Sequence, residues 1–169
     1  NIDQEEMIRK ILNTSLDFFP GQKSQYSDLG IILLMDIIEI ITSTPLDELC
    51  KKWIFDPISM NDTSYNPADS INYKIVPTEF DEYFRGKLLK GEVHDENAYL
   101  LDGISGHAGV FSNAYDLAKY AQLFLNEGTW LGTRILSDDI VKNFISRQEI
   151  PPGSDRALGW DTPSRNGKS

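Results

Sequence analysis

A phenol and a carboxylate stand two residues apart in Tyr26-Ser27-Asp28, immediately before Leu29-Gly30 and a long apolar run. A tyrosine so placed can hold or relay a proton beside a reacting group. A carboxylate at the start of a helix meets the positive end of its dipole. Neither group hydrolyses anything unaided, so a nucleophile has to come from elsewhere. Locally, the plainer alternative is an ordinary N-cap, Ser27 or Asp28, behind a tyrosine that packs.

The second candidate is His107. It lies in Asp102-Gly103-Ile104-Ser105-Gly106-His107-Ala108-Gly109, where three glycines permit positive φ and close backbone approach. The stretch lacks the Lys-Ser/Thr ending of a phosphate loop. It reads as a tight turn passing close to another element, in which His107 hydrogen-bonds and shapes a site without doing chemistry. His94-Asp95-Glu96 reads as a surface turn. Two histidines and one cysteine, Cys50, are too few for the usual histidine- or cysteine-based metal sites, so no metal is expected. Gly-x-Ser-x-Gly, Ser-x-x-Lys, Lys-Thr-Gly and His-Thr-Gly are all absent.

The elements that must position these residues read mainly as helices. Asp3 and Glu6 form a capping box, with Ile2 and Met7 placed as a hydrophobic staple, for a helix running to about Asn13. Phe18-Phe19-Pro20-Gly21 supplies two aromatic anchors and a turn. From Asp28 to about Ile41 the pattern predicts a core helix buried on most sides. Thr44 is the expected N-cap of the next helix, with Pro45 at N1 and Leu46, Leu49, Cys50 and Trp53 on its apolar face. Residues 66–102 show no strong periodicity, and their aromatics suggest a long ordered loop that packs down. Asn113 is expected to cap a helix with Leu117, Ala121 and Phe124 inside and Gly128 past its end. Ser137 is expected to cap a last helix with Ile140, Val141, Phe144 and Ile145 inside, and Arg156-Ala157-Leu158-Gly159-Trp160 to begin a strand.

The chain has 169 residues and a formal net charge of −10. An acidic surface without a Lys/Arg cluster argues against nucleic acid and anionic membrane as partners. The longest apolar run is too short and too interrupted for a bilayer span. The opening Asn1-Ile2-Asp3 is not a natural initiator and carries no signal-peptide pattern, which suggests a mature form or an excised piece.

Several segments, taken in order, resemble one family. They are Phe19-Pro20-Gly21…Tyr26-Ser27-Asp28-Leu29-Gly30, Thr44-Pro45-Leu46-Asp47, Ile54-Phe55-Asp56-Pro57-Ile58-Ser59-Met60-Asn61-Asp62-Thr63, Gly91-Glu92-Val93-His94-Asp95-Glu96-Asn97-Ala98, and Gly106-His107-Ala108-Gly109-Val110-Phe111-Ser112…Asp116-Leu117-Ala118. Together they resemble the serine β-lactamase / penicillin-binding-protein superfamily in its class C β-lactamase and esterase-like branch. The region from Glu92 to Ser112 is similar to members associated with family 3 glycoside hydrolases. The resemblance implies a serine of Ser-x-x-Lys attacking a carbonyl, a tyrosine of Tyr-x-Asn sharing proton transfer with the lysine, and a Lys/His-Thr-Gly strand lining the site. Only the middle motif is present. Tyr26 matches the tyrosine, and Asp28 and His107 become substrate-binding candidates. Asp28 stands where many relatives have asparagine, and a carboxylate cannot donate to a substrate carbonyl as an amide does.

The implied fold is mainly α. It is the helical lobe of the α+β β-lactamase/transpeptidase-like fold, with little strand and long ordered loops. Residues 1–169 would be a single partial domain, with about 156–169 heading back to a missing sheet. The implied function is that of a bacterial serine hydrolase acting on an ester, amide or β-lactam, without cofactor, and inactive as this chain alone. The substrate would be a small molecule or cell-wall-related. The other reading is a non-catalytic accessory domain fused to or partnering a glycoside hydrolase. An extracytoplasmic location follows from the resemblance alone, and an excised lobe would risk self-association through an exposed apolar face.

Overall fold

The computed structural model describes residues 4–165. The capping box and staple expected at Asp3 and Ile2 lie outside the described residues. The chain divides into two compact units. The first takes in the chain up to Thr14 together with Ser27–Leu117, and the second takes in Ser15–Tyr26 together with the chain from Ala118 onward. The architecture is mainly helical, with three two-stranded antiparallel pairs among the described residues.

In the first unit, α1 (Gln4–Leu12) carries a Glu6–Lys10 pair at 3.1 Å one turn apart. Its Met7 and Ile8 meet Ile32 and Met35 of α2 (Asp28–Thr42), and Leu101 closes the cluster. Helix α2 covers the predicted span, but its burial differs from expectation. Only Ile32 and Met35 are fully buried, whereas Leu34, Ile37, Ile40 and Ile41 remain exposed. The packing within this unit covers one stripe of a helix whose sequence is apolar on almost every side.

Helix α3 (Leu46–Cys50) follows through Ser43 in the left-handed region. Thr44 is not its N-cap. Pro45 occupies that position without a side-chain cap, and Glu39 of α2 accepts the Leu46 N–H at 2.7 Å instead. A π-helical turn, Lys51–Phe55, extends α3, with Leu49 buried and Trp53 half exposed. Strand β1 (Ser64–Tyr65) then pairs with β4 (Val110–Phe111) in the register Ser64↔Phe111 and Tyr65↔Val110.

Residues 66–102 do not form one long loop. They hold a 3₁₀ turn (Asp69–Lys74), a hairpin of β2 (Phe80–Asp81) and β3 (Lys87–Leu88), and α4 (Glu96–Leu100). Tyr73, Phe80 and Tyr83 are exposed, against the expectation that the aromatics pack down. The anchor is a charge. The Arg85 side chain is 5% exposed. Its Nε donates to Asp81 at 2.7 Å, its Nη1 to Glu92 at 3.1 Å and to the Val93 carbonyl at 2.6 Å, and its Nη2 to the His94 carbonyl. The Tyr99 ring lies 4.9 Å from the guanidinium carbon.

Arg85→Ala should therefore destabilise the chain by about 3 kcal/mol near neutral pH, because it strips buried acceptors of their donor. The Arg85 hydrogen bond, followed by the Phe84 N–H, holds the Asp81 carboxyl below its ordinary range. Stability from a depressed carboxyl is present above the unfolded pKa and is lost as pH falls through the folded one. The penalty should accordingly shrink in acid. Urea unfolding of both proteins at about pH 7 and about pH 3 measures it, and equal stability of the two at neutral pH would contradict the assignment.

Helix α5 (Ala114–Leu125) begins in the first unit. Asn113 accepts the Asp116 N–H at 2.9 Å, as expected of a cap. Asp116 also accepts from the Asp62 N–H at 2.8 Å and the Thr63 hydroxyl at 2.9 Å, fixing the helix start to the connection after α3. The buried positions of α5 are Asp116 and Leu123, whereas Leu117 and Ala121, expected inside, are exposed.

In the second unit Gly128 ends α5 at φ +87, donating its N–H to Leu123 O at 2.8 Å, as expected. Strands β5 (Thr129–Trp130) and β6 (Thr133–Arg134) form a hairpin, and Ser137 caps α6 (Asp138–Ile145). Val141 is buried, but Ile140, Phe144 and Ile145, also expected inside, are partly exposed. Tyr120, Phe124 and Trp160 form an aromatic cluster, with Tyr120 and Trp160 stacked at 6.3 Å. The strand expected from Arg156 is a single bridge between Arg156 and Asp161. Phe19, expected as an anchor, is exposed. Among the described residues no single helix is long and apolar enough to cross a membrane.

Candidate active site

Asp28 is the first residue of α2 and is half-buried. Ser27 holds the N-cap position in extended backbone, but its side chain makes no capping bond. Tyr26 precedes it in the second unit and is 85% exposed. Another phenol, Tyr65, donates to the Ser105 carbonyl at 3.2 Å. Burial, and then the neighbouring Cys50 and Asp47, push the Tyr65 phenol well above its ordinary range, so it keeps the proton that it donates to Ser105.

The glycine loop packs as closely as its sequence implies. A Cβ on Gly106 would lie 2.7 Å from the Ile31 carbonyl oxygen of α2. One on Gly109 would lie 2.3 Å from the Gly103 carbonyl oxygen, at φ +112. Between these contacts the loop turns His107 inward until its side chain is 7% exposed. Its Nδ1 meets Ser105 Oγ at 2.8 Å, and its Nε2 meets Asp95 Oδ1 at 2.9 Å. An ionised carboxylate only accepts, so Nε2 carries the proton.

Asp95 is the N-cap of α4, and its Oδ1 also accepts the Ala98 N–H at 2.8 Å. Burial raises its carboxyl, but the Ala98 N–H and His107 outweigh that and leave it below the ordinary range. His94, by contrast, is exposed and pairs with Glu79. The turn reading of 94–96 thus holds for His94 and misses Asp95.

Ser105, His107 and Asp95 form a continuous hydrogen-bonded chain of the residue types used in hydrolytic triads. Ser105 is 1% exposed, however, and so cannot meet an acyl donor. The chain orients groups rather than attacking a substrate. Donor atoms of Asp28, Asp95 and His107 lie within 4.8 Å of one another. Both ring nitrogens of His107 are already committed to Ser105 and Asp95, which leaves neither free for a metal, and the Asp28 carboxylate stands beside this hydrogen-bonded pair. The structure thus joins Asp28 to His107 and adds two residues that the sequence reading missed, Asp95 and Ser105. The available signal for Asp95 was an acidic residue directly before a short helical stretch. For Ser105 it was a hydroxyl two residues before the histidine.

This helical architecture is matched among known proteins. The family model described as Beta-lactamase matches residues 1–168, and the chain belongs to that family. An N-acetylmuramyl-L-alanine amidase of Bacillus subtilis is 34% identical over 98% of this chain and 39% of its own length. The octameric penicillin-binding protein homologue from Pyrococcus abyssi superimposes with a TM-score of 0.62 at 22% identity, over 85% of this chain and 30% of its own. A D-stereospecific amidohydrolase from Streptomyces superimposes with a TM-score of 0.63 at 18% identity, over 92% of this chain and 44% of its own. These structural likenesses establish the fold. The chain spans about two fifths of the length of the amidase it matches.

Proposed function

We propose that this chain is the helical lobe of a larger serine hydrolase and supplies Tyr26 to an active site completed by other parts of the protein. The observation that carries this reading is the family match over residues 1–168 combined with the presence of only one of three expected motifs, Tyr26-Ser27-Asp28. The exposed apolar side of α2 and the unpartnered surface around Tyr26 fit a lobe whose remaining walls lie elsewhere in the protein. The same exposed side makes self-association of the isolated lobe an expected hazard. The reaction is transfer of an acyl group to serine and then to water. The amidase and amidohydrolase relatives favour an amide, and the first of them a cell-wall-derived one, which goes with an extracytoplasmic location.

The purified chain alone is expected to show no turnover of an activated ester such as p-nitrophenyl acetate. Hydrolysis that Tyr26→Phe abolishes would overturn the proposal, because a nucleophile would then have to lie within these residues. Asp28 in place of an amide gives some support to a second reading, an accessory domain beside a glycoside hydrolase. A flanking coding sequence without Ser-x-x-Lys, but with a glycosidase domain, would favour it.

A further inference from the structure

His107 touches a buried serine on one side and a helix-capping aspartate on the other, and the Asp28 carboxylate lies within 4.8 Å of that pair. We propose that His107 is a positioning residue for Asp28. Its Nε2–H is shared between Asp95 and Asp28, directly or through one water, and fixes the Asp28 carboxylate at the start of α2.

Three contacts hold the imidazole. Ser105, on Nδ1, is itself fixed, because it is buried and its carbonyl accepts the Tyr65 hydroxyl. Asp95, on Nε2, is fixed by the Ala98 N–H that it caps. The loop between them cannot slide along α2, since Gly106 lies against the Ile31 carbonyl and the Met35 side chain. The ring therefore cannot rotate without breaking both of its hydrogen bonds. The charged groups placed against it are Asp28 from α2 and Asp95 from α4, and the loop contributes only the Ser105 hydroxyl.

Two carboxylates this close repel unless they share a donor, and the Nε2–H that Asp95 accepts is the donor proposed to serve both. A polar contact beyond about 3.5 Å is commonly closed by a bridging water, which would join Asp28 to the same N–H. The arrangement gives a physical reason why position 28 can hold a carboxylate: the loop supplies the N–H that keeps it in place. In the hydrolase reading, on which the functional consequence rests, His107 acts on the site through Asp28 and is not itself catalytic.

The first test needs only this chain. Long-range ¹H–¹⁵N spectra read the His107 ring, with His94→Gln identifying the other histidine. Asp28→Asn is expected to move the His107 ring signals, as Asp95→Asn does, while Asp36→Asn leaves them in place. Ring signals indifferent to Asp28→Asn overturn the proposal, whatever the protein's activity.

The second test uses the full-length protein. His107→Phe keeps the ring volume without donors, whereas His107→Gln keeps an N–H. The Phe variant is expected to lose roughly tenfold in kcat/KM and the Gln variant to recover most of it. In an Asp28→Ala background His107→Phe should have no further effect. An equal loss with or without Asp28 would mean that His107 only pins the loop, and would overturn the positioning role. A full-length protein without hydrolase activity would count against the proposed function, and the ring spectra would still decide this inference.

Discussion

Gly109→Ala is expected to destabilise the chain by roughly 3 kcal/mol or more, a large effect for one methyl group. Two penalties combine. The backbone at Gly109 has φ +112, a region that side chains with a Cβ rarely adopt. The added carbon would also stand 2.3 Å from the Gly103 carbonyl oxygen and 3.1 Å from the Tyr65 ring. The carbonyl is backbone within the same loop and cannot swing aside as a side chain would. Relief would have to come from moving Gly103 or β4, whose Val110 pairs with Tyr65. Tyr65 in turn donates to Ser105, so the strain would reach the serine that orients His107. Gly30→Ala is the matching control. No atom lies within 4 Å of its Cβ, and it sits in α2, so alanine there should stabilise by about 0.5–1 kcal/mol. Urea denaturation of the three proteins measures both changes. A Gly109→Ala protein as stable as the parent would show that the loop is not held as described.

Local chemistry made part of this structure legible in advance. The span of α2, the Asn113 and Ser137 caps and the Gly128 terminus each depend on residues within a few positions of one another. Their hydrogen bonds close inside one turn, so the pattern is complete in the local sequence. The tightness of the glycine loop was legible for a related reason, since glycines at such spacing serve little else.

Most of the missed features depend on residues distant in sequence. Glu39 caps α3 from seven residues away, His107 finds Asp95 twelve away, and Thr63 finds Asp116 fifty-three away. No periodicity encodes such pairings. Arg85 shows the same limit: the four acceptors of its side chain come from both sides of a hairpin, and the run of aromatics around it does not mark them. The burial of α2 was misjudged because apolar composition states what a helix can bury, not what is present to cover it.

Tyr26→Phe in the full-length protein is expected to lower kcat by roughly a hundredfold or more, the usual scale for loss of a positioned proton-transfer group. The prediction follows from the hydrolase reading, and the structure makes it a clean test. Tyr26 is 85% exposed, and no hydrogen bond from its phenol is found among the described residues. Removing the hydroxyl should therefore leave the unfolding midpoint of this lobe within about 0.5 kcal/mol of the parent. Most catalytic substitutions confound lost chemistry with lost packing, and here the two separate. A fall in kcat with unchanged stability assigns the phenol to the reaction. A fall in both would make Tyr26 a packing residue against parts of the protein outside this chain. Full activity in the phenylalanine variant would remove the one catalytic role that the family pattern gives these residues, leaving the accessory reading in its place. KM adds a further distinction. A proton-relay phenol acts chiefly in the transition state, so KM should change far less than kcat, whereas a phenol that only binds substrate would raise KM at constant kcat.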